Sequence, residues 1–238
     1  GLLIEGFQHS PVILMPYNPP YYASLVEGCG FRKSMDLFSY KHGQQTVYTE
    51  RIVRANDIVK RRQNLTFRSL DMKRFKEEVG RMKDIFNRAW QKNWGAVPMT
   101  EAEIDALAAD LKPIVVPELV IFAESKGKTI GFVVSLPDIN VALKYNRGGG
   151  LLMGLFHLMT KKKKIDWARI ILVGVLPEHL NTGAAGVMLY ETAARAKVLG
   201  FKYGEAGWIL ENNVQAIRAA EATGGELYKK YRLYDLSI

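Results

Sequence analysis

Apolar positions along the chain change period repeatedly, and each change marks an element. Leu65 to Leu70 reads as a strand. Asp71 then stands before Phe75, Val79, Met82, Phe86 and Ala89, whose three- and four-residue spacing predicts a capped amphipathic helix. Thr100-Glu-Ala-Glu103 is a capping box for a second helix that ends before Pro113. Leu119 to Glu124 and Thr129 to Leu136 flank Ser-Lys-Gly-Lys, a hairpin signal. A continuous apolar run, Arg169 to Val175, passes through a turn of small residues into a helix reaching Gly200. A strand from Gly204 to Glu211, a helix from Asn213 to Ala222 and a strand around Tyr228 to Leu236 complete the series.

The first 45 residues read as the end of another unit. Val12 to Met15 predicts a short buried strand, Asn18-Pro-Pro opens a helix that stops at Gly28-Cys-Gly-Phe31, and Met35 to Tyr40 predicts a strand. A polar stretch, Lys41 to Glu50, leads into a charged connector ending near Asn64. Asn18 to Gly30 aligns without gaps on Asn212 to Gly224, with Glu27 matching Glu221 and Tyr40 matching Tyr234 beyond. The expected organisation is therefore a remnant over 1–45, a linker over 46–64 and a complete domain over 65–238, interrupted by an insertion at 137–166. The opening on Gly1 reads as a truncated or processed start.

Composition narrows the setting. In 238 residues, 48% are hydrophobic and 24% charged, ordinary for a globular protein, and no apolar run approaches the ~20 residues of a membrane span. One cysteine, Cys29, excludes an internal disulfide and points to a reducing compartment, the cytoplasm. The net charge of +9 is compatible with an anionic ligand, an acidic membrane surface, nucleic acid or a solvated basic face. No zinc-finger spacing and no aromatic RNA-reading strand is present, so no nucleic-acid partner is expected. His9, His42, His157 and His179 are scattered, so no metal is expected either.

Chemistry concentrates in Arg169 to Gly200. A strand delivering its carboxyl end to a helix N-terminus leaves several N–H groups without intrahelical partners, and the helix dipole there favours an anion such as a pyrophosphate. The absence of Gly-x-x-x-x-Gly-Lys-Ser/Thr and of a full Gly-x-Gly-x-x-Gly argues against the commonest nucleotide binders.

The order strand, helix, helix, hairpin, strand–turn–helix, strand, helix, strand resembles the GNAT acyltransferase fold. The residues that carry the resemblance are Val175-Leu-Pro-Glu-His-Leu-Asn-Thr-Gly-Ala-Ala185, Trp208-Ile-Leu-Glu-Asn-Asn213 and Gly224-Gly225 before the tyrosine-rich end. Leu180 stands where the family pattern has Arg or Gln, whereas Gly183 and Ala185 keep the small-residue places. The chain is also similar to uncharacterised bacterial tandem proteins of that family. The resemblance implies an α/β (α+β) fold with a central mixed, largely antiparallel twisted sheet flanked by helices on both faces. It implies an acyl-CoA-dependent N-acyltransferase acting on an amine, with acetyl-CoA or a longer acyl-CoA as co-substrate. A non-catalytic acyl-CoA-binding or interaction module is the alternative.

On that reading the backbone of Leu180, Asn181, Thr182, Gly183, Ala184 and Ala185 cradles the pyrophosphate, and small side chains permit close approach. The Val173 to Leu176 backbone, Val173 and Val175 included, supplies the amide that holds the thioester oxygen. Gly174 inside the strand marks a bulge or the close approach of another backbone. Direct transfer needs a base for the incoming ammonium and an acid for the departing thiolate. Tyr228, Tyr231 and Tyr234 lie where the family places its tyrosine acid, and Tyr231 is favoured. The strand 169–175 has no carboxylate, so Glu211 is the best remaining base, with His179 and Glu178 behind it. Asn213 contacts the pantetheine arm, caps the next helix, or does both.

The insertion runs from Gly148-Gly-Gly through an apolar stretch into Lys161, Lys162, Lys163 and Lys164. It suits a lid over a hydrophobic acceptor, peripheral contact of 148–164 with an anionic membrane, or an extra core helix with a solvated basic end.

Overall fold

In a computed structural model, residues 1–43, 48–90, 94–95 and 97–236 are described. The strands are β1 (Leu2–Glu5), β2 (Arg32–His42), β3 (Leu65–Ser69), β4 (Val120–Ser125), β5 (Lys128–Pro137), β6 (Trp167–Val175), β7 (Tyr203–Leu210) and β8 (Glu226–Asp235). The helices are α1 (Tyr22–Gly28), α2 (Glu50–Gln63), α3 (Phe75–Trp90), α4 (Glu101–Leu111), α5 (Asn140–Leu143), α6 (Leu151–Lys161), α7 (Ala184–Val198) and α8 (Val214–Ala222). The class is the expected α/β, with largely antiparallel strands and flanking helices. Two compact units divide the chain: Gly1–Val47, Pro137–Arg169 and Phe201–Ile238 form the first, Tyr48–Leu136 and Ile170–Gly200 the second.

In the first unit the strand order is β1-β8-β2-β7, with antiparallel neighbours throughout. The sequence echo acquires a geometric meaning here, because each matched position lies 194 residues after its counterpart (Asn18 to Asn212). Leu37 of β2 lies directly opposite Tyr231 of β8, its own counterpart, so the pair marks a local pseudo-twofold centre. Around it Arg32 faces Asp235, and the exchanged pair Lys41 and Glu226 face each other too. Tyr40 donates its hydroxyl to Glu221 (3.4 Å), and Tyr234 donates to Glu27 (3.0 Å). Each repeat is thus a helix, a left-handed glycine (Gly30 at φ 91°, Gly224 at φ 76°) and a strand paired with its equivalent. Leu3, Val12, Met15, Met35, Leu37 and Tyr231 pack as its core.

Two expectations for the N-terminal part are corrected. Val12 to Met15 is a turn, closed by Met15 N–H to Val12 O (3.0 Å), and the strand is β1 instead. Pro11 and Pro16 bracket the run and have no N–H for a ladder, while Leu14 takes a left-handed φ of 60°. Val12, Ile13 and Met15 are still buried, which is why the apolar run misleads, while Leu14 is exposed. The charged connector is also ordered as α2: Thr49 caps it and Asn64 ends it in the left-handed conformation. Residues 44–47 of the polar stretch lie outside the described residues.

The second unit has the order β6-β5-β4-β3. The predicted hairpin turns at Lys126 and Gly127, both at positive φ, as a two-residue turn requires. Thr100 and Glu103 form the full capping box of α4. Phe122 and Phe132 are fully buried with Leu70, Ile85, Val120 and Val134 on one side; Leu65, Ile130, Val133, Val187 and Met188 pack as a second cluster. At Gly174 the close neighbour is a side chain and not a backbone, since a Cβ there would sit 2.7 Å from the Phe132 ring, while across the pair a Cβ on Gly131 would sit 2.8 Å from the Gly174 carbonyl oxygen. Gly131→Ala is therefore expected to destabilise the chain by roughly 1–3 kcal/mol, because backbone cannot yield as a side chain does. Urea unfolding checks this, and an unchanged midpoint would refute the account.

Candidate functional site

The turn from β6 to α7 in the second unit carries all the expected cradle residues. A short 3₁₀ helix, Pro177–Thr182, leads to Gly183 at φ 85° and ψ 1°, and α7 starts at Ala184. Glycine is needed at 183 twice over: the backbone is left-handed, and a Cβ would meet Val59 of α2 at 3.2 Å. Thr182 Oγ1 accepts from Ala184 N–H (3.3 Å) and donates to His179 O (2.7 Å), fixing the turn. The next N–H groups of α7 belong to its first turn, which has no intrahelical acceptors. Leu180 is half exposed and Asn181 exposed, whereas Ala184 is fully buried and offers only backbone.

Upstream, Val175 is buried and Val173 partly so. Trp90 of α3 donates its indole N–H to Val173 O (3.2 Å), and Leu176 N–H is engaged by Ile130 O (2.9 Å). The Leu176 amide is thus already committed to β5.

Beside this turn lies a cavity of about 810 Å³. Its walls are the end of α2, the β4–β5 hairpin tip and Leu176, Glu178 and His179 of the turn. Arg61, Arg62, Arg88, Lys126 and Lys128 line it, and Glu178 is held by Arg88 at 3.0 and 3.2 Å. That carboxylate stays ionised well below its ordinary range, held by a backbone N–H and by Arg88. Sequence reasoning missed this basic wall because its cations come from segments far apart in the chain. Arg61, Arg62 and Arg88 come from the strongly basic stretch 51–92, and Lys126 and Lys128 from the Ser-Lys-Gly-Lys hairpin.

The expected catalytic residues belong to the first unit. Glu211 accepts from Asp36 N–H (3.0 Å) and pairs with Lys33 (2.7 Å), and these contacts lower its pKa. Such a carboxylate is held ionised and is a weak base. Asn213 caps α8 by accepting from Ala216 N–H (3.1 Å). Tyr231 is completely buried and its hydroxyl has no partner, whereas Tyr228 is bonded to Glu205 and Tyr234 to Glu27. Burial, then the nearby Glu205 charge, push the Tyr231 phenol far up.

Glu205 is the residue that sequence reading overlooked. It sits inside β7 among Arg169 of β6, Lys229 and Tyr231 of β8, and Asp138. Its Oε1 lies 3.3 Å from Arg169 Nε, in a geometry that makes no hydrogen bond. Burial raises its pKa to about 7, against the opposing pull of Arg169 and Lys229. The cluster also fastens residues 10–13. Lys229 donates to Ser10 O (2.7 Å), Arg169 to Ile13 O (2.7 Å), and Ile13 N–H to Asp138 (2.9 Å). In the sequence Glu205 looked like one more charge in a strand; only pairing on both sides of β7 buries it. Among the described residues no three His, Cys, Asp or Glu side chains gather as metal ligands would.

No family model matches the chain. It is 38% identical over its whole length to a protein of Caulobacter vibrioides named bacterial ceramide synthase, and 34% identical to the protein YghO of Escherichia coli. The chain spans 63% and 62% of the length of these two relatives. Among solved structures, a GCN5-related N-acetyltransferase from Sphaerobacter thermophilus superposes with a TM-score of 0.59 at 16% identity, over 91% of this chain and 56% of that one. The glucosamine N-acetyltransferase region of a fungal multi-domain GH3 β-N-acetylglucosaminidase gives 0.58 at 13%, over 90% of this chain and 22% of that one. The strand order, the β6–Gly183–α7 turn and these superpositions agree: the chain has the GCN5-related N-acetyltransferase (GNAT) fold.

Proposed function

We propose that the chain is an acyl-CoA-dependent N-acyltransferase that moves an acyl group from the coenzyme A thioester to an amine by direct transfer. One observation carries the reading: the left-handed Gly183 turn at the start of α7, with a basic cavity of about 810 Å³ beside it. A multiply phosphorylated ligand is what open helix N–H groups and the flanking cations Arg61, Arg62, Lys126 and Lys128 suit, Arg88 being paired with Glu178. In this reading acetyl-CoA or a longer acyl-CoA lies with its pyrophosphate against residues 180–185.

The amine nitrogen attacks the thioester carbonyl, the C–N bond forms, the C–S bond breaks, and the ammonium proton leaves to a base. Tyr231, the one β8 tyrosine of the three with an uncommitted hydroxyl, keeps its proton at neutral pH and is assigned to the departing thiolate. Glu205 meets the pKa requirement of a base better than the ion-paired Glu211, which stays in the proposal as the residue that holds β2 to β7. The name of the Caulobacter relative directs the acceptor toward a long-chain amino alcohol, since a ceramide is a fatty amide of one. The pseudo-twofold pairing in the first unit supports residues 18–41 and 212–235 as two copies of one repeat.

The committed state of Glu211 and the burial of Tyr231 favour the second reading, a non-catalytic acyl-CoA-binding module. Incubation with acetyl-CoA or a long-chain acyl-CoA, together with a long-chain amino alcohol, separates the two. Release of free thiol with formation of the amide, followed by mass spectrometry, is expected. Tight acyl-CoA binding without any turnover would establish the module instead.

A further inference from the structure

Helix α6 wears its amphipathicity inside out. Leu151, Leu152, Met153, Leu155, Phe156 and Met159 are exposed, at 87, 82, 52, 56, 55 and 74% respectively. At about 100° per residue these side chains cover one continuous face. The opposite, narrower face holds Gly154, His157, Leu158 and Lys161, and that is the side turned inward. Gly154 is buried, with Asn146 3.1 Å and Leu143 3.7 Å from where a Cβ would stand, and the His157 ring lies 6.2 Å from that of Tyr145. A core helix would show the reverse arrangement, so the reading of this insertion as an extra core helix fails for the residues described.

The surroundings of that face are cationic. From Asn140 to Ile165 the chain has Lys144, Arg147, Lys161, Lys162, Lys163 and Lys164 and no acidic residue. Lys144, Lys161 and Lys164 gather around the Tyr145 ring at 5.9, 5.7 and 5.1 Å. Among the described residues none of the six forms an ion pair. Both ends of α6 therefore carry uncompensated positive charge beside its apolar face.

We infer that α6 is a membrane-docking helix that lies flat on an anionic lipid surface, its six apolar side chains among the acyl chains and its lysines at the phosphates. Charge complementarity selects this occupant. A second copy of the same face would bring another run of four lysines and no carboxylate to meet them, whereas anionic lipid headgroups supply what the lysines lack. Helix α6 has 11 residues, short of the ~20 that a span needs, so its own contact is with one leaflet. Such docking would let a hydrophobic substrate reach the protein without passing through water. The inference does not depend on the acyl-transfer reading.

The test is co-sedimentation of the chain with phosphatidylcholine vesicles that do or do not contain phosphatidylglycerol. The chain is expected to pellet with the anionic vesicles, and raised salt should release it. Lys162→Gln/Lys163→Gln/Lys164→Gln should weaken this partitioning at least about tenfold. Leu151→Gln/Leu155→Gln/Phe156→Gln should abolish it, and all six positions are exposed, so the fold is retained. A wild-type chain that stays in the supernatant, or an apolar variant that binds as well, overturns the inference. Lipid-free dimers in sedimentation velocity that the apolar variant dissolves, with vesicle binding unchanged, would overturn it in favour of a second copy. Calorimetry with acyl-CoA on the same proteins reads the other proposal separately: both variants should bind it as the wild type does.

Discussion

Replacing Arg169 with methionine should cost about 3–5 kcal/mol of unfolding free energy at pH 8, the usual consequence of leaving a buried charge without its partner. The group that loses its nearest cation is Glu205, whose side chain is completely buried against Arg169 and keeps only the Tyr228 hydroxyl and the more distant Lys229. The cost must depend on pH, and the sign follows from linkage. Glu205 has a folded pKa of about 7 against an ordinary 4.5, so between those values the folded state binds the extra proton. Stability of the wild type should therefore fall by about 3 kcal/mol as pH rises from 4.5 to 7, then level off. In Arg169→Met the attraction that lowers the Glu205 pKa is gone, so the penalty extends to higher pH, while at pH 5 the neutral carboxyl makes the variant less costly. Glu205→Gln should flatten the slope. Urea unfolding across pH 5 to 8 checks all three chains, and a wild-type slope surviving in Glu205→Gln would remove Glu205 from this account.

The second large effect concerns the ligand. Gly186 stands in the first turn of α7, and a side chain there meets open space. Gly186→Asp should stabilise the fold slightly, by up to about 1 kcal/mol, because it removes a helical glycine and places an acid at the positive end of the dipole. The same carboxylate should weaken acyl-CoA binding about 100-fold by opposing the pyrophosphate. Opposite signs on stability and binding separate a ligand site from a structural turn. Calorimetry with acetyl-CoA reads the second quantity and thermal unfolding the first. Unchanged affinity would mean that the anion does not sit on α7.

The elements that were legible in the sequence are those whose cause is local. The capping box at Thr100, the two-residue turn at Lys126-Gly127 and the small residues at Gly183 to Ala185 each follow from a backbone requirement that a few neighbours state. The repeat was legible too, as a spacing; its exchange of strands was not. The failures have the same origin seen from the other side. Val12 to Met15 looked like a strand because burial and strand pairing both select apolar residues, and only the flanking prolines distinguish them. Helix α2 was hidden because charged residues dominate its sequence and its anchoring contact, Val59 on Gly183, lies more than a hundred residues away.

What the sequence determined by itself is therefore the small-residue turn at Gly183, the order of elements and the apolar-basic character of α6, all set by neighbours within a few residues. Only the tertiary structure decided which charges are buried and which are free. Glu205, Arg169 and Lys229 become one cluster because strand pairing removes water from around them, and Glu211 is engaged by Lys33 and the Asp36 N–H because β2 pairs with β7. The apolar face of α6 remains exposed because Gly154 and His157 are turned inward instead. Desolvation depends on what packs from elsewhere in the chain, and no local pattern of residues carries it.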